Sequence, residues 1–158
     1  DYDCLLGKKF SVENYKISKI FKNHLKEFFF NPRLIFNKKK RSLKFHFDLF
    51  HGKGNLDLAI EQLDNENKTD FRDYMINNTK FNPHNMFICK SKEILIDYYE
   101  TVFTWLERCE KEFGFNLDSY GLKRIYGFLA ERFLSFWFQK KSEYCTLPII
   151  FKDISKLD

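Results

Sequence analysis

The sequence predicts a single domain, residues 1–158, of mixed α/β fold, with short strands between helices and two long helices near the C-terminus. Three observations support this class. Helical and strand-like apolar spacings alternate along the chain, and the short apolar runs lie far apart. Six glycines and three prolines are too few for a turn-dense all-β domain. Hydrophobic residues at 44% and charged residues at 31% exclude a disordered chain.

The N-terminal third predicts one strand and one amphipathic helix. Residues 2–7 form a short apolar run that ends at a glycine, as a buried strand does before a turn. Apolar side chains then recur at helical spacing over 17–28, with lysines between them, until an Asn-Pro pair ends the helix. Residues 38–41 are a solvated basic run, and residues 43–50 fit either a strand or the start of a helix.

The middle of the chain predicts two short helices, a loop and a strand. A glycine-rich loop spans 51–55, and its last residue, an asparagine, is a candidate cap for a helix over 56–63. Residues 70–76 have the pattern of another short helix. The polar stretch 77–85, with one proline, predicts a loop, and the apolar run 86–89 predicts a compact buried strand.

The C-terminal part predicts the two long helices and a closing strand. The first helix lies within 91–114, between a serine cap and a terminating glycine. Asp118 or Ser119 is expected to cap the second helix, which continues to about Lys140. Residues 147–151 are apolar and predict the last strand.

Positive charge is concentrated in one part of the chain. The net charge is +5, from 27 basic and 22 acidic residues. From Lys8 to Lys44 there are twelve basic and two acidic residues, a net of +10, so the rest of the chain is acidic. We interpret about 13–45 as a basic insertion whose surface faces phosphate. The alternative is that its amphipathic helix packs on the core of the domain and its lysines are only solvated.

Cysteine spacing bears on the compartment and on metal binding. Cys4, Cys89, Cys109 and Cys145 show no CxxC or similar spacing, so neither a metal site nor a small disulfide framework is predicted. Reduced thiols are typical of a cytoplasmic protein. No apolar run approaches the roughly 18 residues of a membrane span, so we expect any membrane contact to be peripheral.

One face of the second long helix carries the residues that most strongly suggest chemistry. Arg124, Gly127, Glu131 and Ser135 are spaced three, four and four residues apart, which places them on the same side. Glycine is tolerated in a helix where something approaches the backbone, and a neighbouring carboxylate can accept a proton from a sugar hydroxyl. The alternative is a packing glycine and a structural ion pair of Glu131 with Arg124 or Arg132.

Two predicted loops supply further candidates. Residues 82–85, Asn-Pro-His-Asn, lead into the strand predicted at 86–89, and polar residues at strand ends line ligand crevices in α/β sheets. A capped turn is the alternative for this loop. His51, in its glycine-rich loop, is a candidate for contact with phosphate or for a base, although a lone histidine in a loop usually has neither role.

Several motifs together resemble a bacterial family. They are the Asn-Met-Phe-Ile strand at 85–88, the Arg-x-x-Gly-Phe-Leu-Ala-Glu-Arg helix at 124–132, the Leu-Pro-Ile strand at 147–149, and the segments 2–5 and 51–58. The chain resembles the glycosyltransferase-like domain of capsule and lipopolysaccharide gene clusters, catalogued as a domain of unknown function. The opening strand of that family and its aromatic His-Tyr-Arg-Arg stretch are absent. We therefore expect this chain to be the C-terminal portion of a longer protein.

The resemblance implies a GT-A-like architecture and transfer of a sugar from a nucleoside-diphosphate sugar to a growing capsular or lipopolysaccharide glycan, or a lipid-linked acceptor. By the same resemblance Glu131 is the candidate catalytic base, and His84 and Asn85 line the cleft. The candidates for contact with the diphosphate are Arg124, Arg132 and Lys90. The cofactor stays open, with a divalent cation bound to the nucleotide sugar as one alternative.

A function of another class is also compatible with the sequence. The basic segment from Lys8 to Lys44 fits a non-catalytic module that binds an anionic membrane surface. The two functions combine if this segment docks a cytoplasmic transferase on the inner membrane. Nucleic acid is the less favoured partner because the chain carries no known nucleic-acid-binding motif.

Overall fold

A computed structural model describes four stretches of the chain, namely 1–13, 37, 41–114 and 117–152. Over these residues the fold is α/β, with helices around small sheets of mixed strand direction, as the sequence predicts. The predicted helix over 17–28 and most of the basic insertion lie outside the described residues. The role of that segment at a membrane or nucleic-acid surface therefore stays a prediction.

The strands of the described part form two small sheets. β1 (Cys4–Gly7) lies in the middle of a three-stranded sheet, antiparallel to β4 (Phe87–Cys89) and parallel to β5 (Tyr144–Leu147). β2 (Phe10–Ser11) and β3 (Lys80–Phe81) pair as a separate antiparallel ribbon. The sequence pattern does not predict this ribbon, because a two-residue strand is too short to show an alternation of apolar and polar residues.

The two longest helices of the described part are the two predicted near the C-terminus. In chain order the helices of the described part are α1 (Leu43–His51), α2 (Asn55–Glu61), α3 (Asn65–Asn77), α4 (Lys92–Phe113), α5 (Tyr120–Lys123) and α6 (Ile125–Lys141). Over the described ranges, no helix combines the length and the apolar character that a bilayer span needs.

Side-chain caps determine where three of the helices begin. Ser42, Asp64 and Ser91 each accept a hydrogen bond from a backbone N–H three residues further on, at the starts of α1, α3 and α4. The cap at Ser42 settles the ambiguity of 43–50 in favour of a helix. Asp64 starts α3 well before residue 70, where the sequence pattern predicted a helix. The predicted Ser91 cap is confirmed.

Two predicted side-chain caps are not formed. Asn55 is the first residue of α2 instead of its cap, and its side-chain amide donates to the His51 carbonyl over 2.7 Å. Ser119 stands at the start of α5, but its side chain makes no cap hydrogen bond. The second long helix is also interrupted, since α5 ends at Lys123 and α6 begins at Ile125.

The last strand ends where the sequence pattern expected it to begin. The predicted strand was 147–151, whereas β5 pairs with β1 through Tyr144 to Leu147. The backbone N–H of Lys8 still donates to the Leu147 carbonyl over 2.7 Å. Pro148 has no N–H with which to continue a ladder, so pairing stops there.

A cluster of aromatic rings fills the core where α3, α4 and α6 meet. The rings of Phe71, Trp105, Phe133 and Phe136 lie with neighbouring centroids 5.0 to 5.7 Å apart, mostly in edge-on or tilted arrangements. The indole N–H of Trp105 donates to the Ala59 carbonyl over 2.7 Å, so the buried polar atom of this side chain is satisfied. This packing fixes α6, which carries the candidate catalytic carboxylate on another side.

Candidate active-site cleft

A cleft of about 950 Å³ lies between α1, α5, α6 and the β2–β3 ribbon. Its volume is in the range of small-molecule sites in proteins. Aromatic side chains make up much of the lining, and they are Phe10, Phe50, Phe81, Tyr120, Phe128 and Phe151. The charged and titratable lining residues are Lys8, Lys9, His46, His51, His84, Glu131 and Arg132. Among the described lining residues, Glu131 is the one carboxylate.

His51 is buried in the wall of the cleft and does not lie in a loop. It is the last residue of α1, is 4% exposed, and stacks on Phe128 with ring centroids 4.1 Å apart. Its Nδ1 lies 3.2 Å from the carbonyl oxygen of Gly121. Because a carbonyl only accepts, Nδ1 carries the proton and Nε2 is left unprotonated. Burial lowers the pKa of His51 to about 4, against the opposing effect of the Gly121 carbonyl, so the ring is neutral at pH 7.

The turn that supplies Gly121 is packed tightly on the end of α1. A Cβ at position 121 would overlap the carbonyl oxygen of Phe50, so this close approach requires glycine. Ser119, two residues earlier, has φ of 74° and ψ of 153°, a backbone region that non-glycine residues rarely adopt. Backbone strain of this kind is frequent at functional sites.

Arg132 is a buried cation beside Glu131. It is 2% exposed, and one of its terminal nitrogens lies 2.5 Å from Oε2 of Glu131. The guanidinium carbon lies 3.5 Å from the centre of the Phe81 ring. Within the described residues its Nε is buried without a hydrogen-bond partner. Burial lowers the pKa of Arg132, and the charge and hydrogen bond of Glu131 act in the opposite direction.

His46 is the second neutral histidine of the wall. Its Nδ1 lies 3.4 Å from the other terminal nitrogen of Arg132, and because arginine only donates, this Nδ1 carries no proton. Burial, together with the positive charges of Arg132 and of protonated His51, lowers the pKa of His46 to about 3. The wall therefore holds one buried arginine next to two uncharged imidazoles.

Hydrogen bonds from three positions of α6 hold the loop 82–85 against this helix. The Ser135 hydroxyl accepts from the Asn82 N–H (2.5 Å), Glu131 Oε1 from the His84 N–H (2.6 Å), and the Gly127 carbonyl from the Asn85 side-chain amide (3.1 Å). The predicted helix face is therefore confirmed for Gly127, Glu131 and Ser135. It is wrong for Arg124, which lies before the first residue of α6 and contacts Tyr120 and Phe128. His84 and Asn85 have positive φ values of 75° and 51°, and these bonds support that unfavourable backbone.

Three of the predicted site residues, Arg124, Asn85 and Lys90, do not line the cleft. Arg124 donates a hydrogen bond to the Tyr120 hydroxyl, and its guanidinium carbon lies over the Phe128 ring, 5.3 Å from the ring centre. It therefore contacts two residues that line the cleft without lining the cleft itself. The side-chain amide of Asn85 donates a hydrogen bond to the Gly127 carbonyl. No atom of the described residues lies within 4 Å of the place that a Cβ at position 127 would occupy, so close packing does not require a glycine there. Lys90 pairs with the Asp1 carboxylate over 2.8 Å.

The direction of β4 explains the position of Lys90. The loop 82–85 precedes β4 and contacts the cleft, whereas Lys90 follows the strand at its opposite end. Of the predicted site residues, His51, His84, Glu131 and Arg132 all line the cleft. In the described ranges no three His, Cys, Asp or Glu side chains are close enough together to hold a metal ion.

The residues of α1 are the part of the site that the sequence pattern missed. His46, Leu49 and Phe50 all line the cleft, and their spacing of three and one residues puts them on one side of a helix. The pattern was available in the sequence. By sequence alone 43–50 fits a strand equally well, and the Ser42 cap decides in favour of the helix.

One protein-family model, described as "Domain of unknown function (DUF4422)", matches residues 2–142. That range contains nearly all of the cleft lining. Comparisons with curated proteins and with solved structures give no match. The chain belongs to the DUF4422 family of domains of unknown function.

Proposed function

We propose that this chain carries the active-site cleft of a glycosyltransferase that moves a sugar from a nucleoside-diphosphate sugar to a capsular or lipopolysaccharide glycan. One observation carries the proposal. One cleft of about 950 Å³ combines exposed aromatic rings with, among its described lining residues, one carboxylate and the cationic side chains of Lys8, Lys9 and Arg132. On this proposal the enzyme works in the cytoplasm, where nucleotide sugars are made, at the inner surface of the membrane.

The aromatic rings suit a sugar substrate. Tyr120 and Phe151 line the cleft and are 69% and 79% exposed, so part of each ring is open to a ligand. A pyranose ring presents an apolar C–H face that packs on an aromatic ring, while its hydroxyl groups need polar partners at the edge. His84, exposed beside Phe151 at 5.6 Å between ring centres, supplies a polar group at that edge.

Glu131 is the candidate base for the acceptor hydroxyl. Its two oxygens accept one hydrogen bond each, from the His84 N–H and from Arg132. A carboxylate has about four acceptor positions, so each oxygen keeps one for a substrate hydroxyl. The two bonds fix the orientation of the carboxylate, which a general base needs for proton transfer.

The cations of the cleft suit the departing diphosphate. Lys8 is exposed in the lining, whereas the Lys9 amine is held by the Gln139 side chain over 3.1 Å. Arg132 adds a fixed positive charge behind Glu131. Positive groups placed near a leaving group stabilise the negative charge that develops on it in the transition state.

A Glu131→Gln variant tests the proposal. Glutamine keeps an oxygen that accepts hydrogen bonds but cannot take up the acceptor proton, so we expect kcat to fall about 10²- to 10⁴-fold with KM nearly unchanged. The assay measures release of nucleoside diphosphate from uridine and guanosine diphosphate sugars, with glycan acceptor present. Glu107→Gln is the matched control, because Glu107 pairs with Lys111 on the exposed surface of α4.

Two outcomes would count against the proposal at different levels. The variant also weakens the ion pair with buried Arg132, so its melting temperature is expected to fall. A lower melting temperature with unchanged kcat would leave Glu131 as a structural partner of Arg132. If the wild-type protein neither binds nor cleaves any diphosphate sugar of the panel, the transferase proposal is wrong.

A further inference from the structure

Two cysteines face each other on neighbouring strands of the three-stranded sheet. The proposed transfer reaction uses neither of them. Cys4 of β1 and Cys89 of β4 are direct partners in the antiparallel register, and their sulfur atoms are 3.0 Å apart. At the neighbouring register position the Lys90 N–H donates to the Asp3 carbonyl. Hydrogen-bonded and non-hydrogen-bonded pairs alternate along such a ladder, so the cysteines occupy a non-hydrogen-bonded position, where side chains are closest.

This position has the geometry of a disulfide site. Directly opposed residues at a non-hydrogen-bonded position have Cα atoms about 4.5 Å apart, within the roughly 4.4–6.8 Å that disulfides span. The sulfur atoms need to approach by only about 1 Å to reach bonding distance. A bond between them therefore requires rotation of the side chains and no displacement of either strand.

The two thiols differ in access and in protonation. Cys4 is 1% exposed, whereas Cys89 is half-buried. Burial, together with the hydrogen bond to Cys89, raises the pKa of Cys4 to about 12, so this thiol stays protonated. Cys4 donates its S–H to the sulfur of Cys89, which in turn lies 3.3 Å from the Ser91 carbonyl. An oxidant from solvent reaches Cys89 first.

We propose that Cys4 and Cys89 form a peroxide-sensitive pair that closes reversibly into a disulfide between β1 and β4. The sulfur of Cys89 attacks one oxygen of hydrogen peroxide, the O–O bond breaks, and a sulfenic acid and one water form. The sulfur of Cys4 then attacks the Cys89 sulfur and displaces its hydroxyl as a second water. Two thiols lose two electrons and two protons, and the peroxide takes up both.

The disulfide would change the stability of the fold in a measurable way. It joins residues 85 positions apart in the sequence, so it restricts the unfolded chain over more than half of its length. The oxidised protein should therefore melt at a higher temperature than the reduced protein. Reduction by dithiothreitol should restore the original value, because an exchange reaction reverses the bond.

The experiment treats the folded chain with hydrogen peroxide and then counts free thiols under denaturing conditions. We expect the four thiols of the reduced protein to fall to two. The intact mass should decrease by about 2 Da, since two hydrogens leave. Peptide mapping without reductant should show one linked pair that contains Cys4 and Cys89, together with the upward shift in melting temperature.

Two variants make the result specific. Cys89→Ser should abolish the loss of mass, and it replaces a half-buried side chain, so we expect it to fold. Cys145→Ser is the matched control, because Cys145 is also half-buried in the sheet but has Leu5 as its partner in register. It should still form the disulfide. The proposal is overturned if wild type keeps four thiols, if Cys89→Ser still loses 2 Da, or if the linked pair involves other cysteines.

Discussion

The aromatic core and the cleft wall lie on different sides of α6 and differ in what stabilises them. The core side packs Phe133 and Phe136 against the rings of Phe71 and Trp105. The cleft side holds a buried arginine, two neutral histidines and a loop with positive φ values. Burial of apolar surface stabilises the first region, whereas the second keeps polar groups in positions that cost free energy. The stability that the core supplies offsets the free-energy cost of the buried polar groups in the cleft wall.

Loss of a core ring should have the largest effect on stability. Phe133 is fully buried among the rings of Phe71 and Trp105, so Phe133→Ala should lower the free energy of unfolding by about 3–5 kcal/mol. Urea unfolding measures this. The control is Phe103→Ala on α4, where the ring is 61% exposed and a change within about 0.5 kcal/mol is expected. Equal losses in the two variants would contradict the distinction between core and surface.

Two glycines test how tightly the cleft wall is built. Gly121→Ala places a methyl group against the Phe50 carbonyl, so the free energy of unfolding should fall by about 1–3 kcal/mol. Gly127→Ala meets nothing within 4 Å, and removal of a glycine from a helix should stabilise the protein by up to about 1 kcal/mol. Thermal unfolding of both variants decides the matter. Shifts in the same direction would mean that the turn at 121 is not tightly packed.

Acid should weaken the cleft wall through its histidines. In the unfolded chain a histidine binds a proton below about pH 6.5, whereas folding holds the pKa of His46 at about 3 and that of His51 at about 4. The unfolded state therefore binds more protons in this window. Stability is fully present above about pH 6.5 and is lost as the pH falls below it, by about 1.4 kcal/mol per pH unit for each histidine.

Melting temperatures between pH 7.5 and 5 measure this effect. His51→Gln removes one of the two groups and keeps a side-chain N–H for the Gly121 carbonyl, so its melting temperature should depend less on pH than that of wild type. His84→Asn is the control, because His84 is exposed and asparagine accepts a positive φ. If His51→Gln and wild type show the same pH dependence, the buried ring does not govern acid stability.

Elements with strong local signals were predicted well. The helix after Ser91 begins and ends as expected, because its serine cap, its apolar period and Gly114 are all adjacent in the sequence. The common face of Gly127, Glu131 and Ser135 follows from helix geometry alone. Two element ends were predicted wrongly. The last strand ends at Leu147, because Pro148 cannot continue the pairing with β1. The helix expected from residue 119 is interrupted at Arg124, so the long helix begins only at Ile125.

The sequence by itself determined the α/β class, the two long helices and the polar face of α6, since these depend on the spacing of residues within one segment. Only the tertiary structure decided that Arg132 lies against His46, 86 residues away, and that Lys90 lies at the far end of β4 from the cleft. The same holds for the contact of Cys4 with Cys89, which depends on strand register. Contacts between distant segments arise from how the helices and strands pack together, and the spacing of residues within one segment carries no information about that packing.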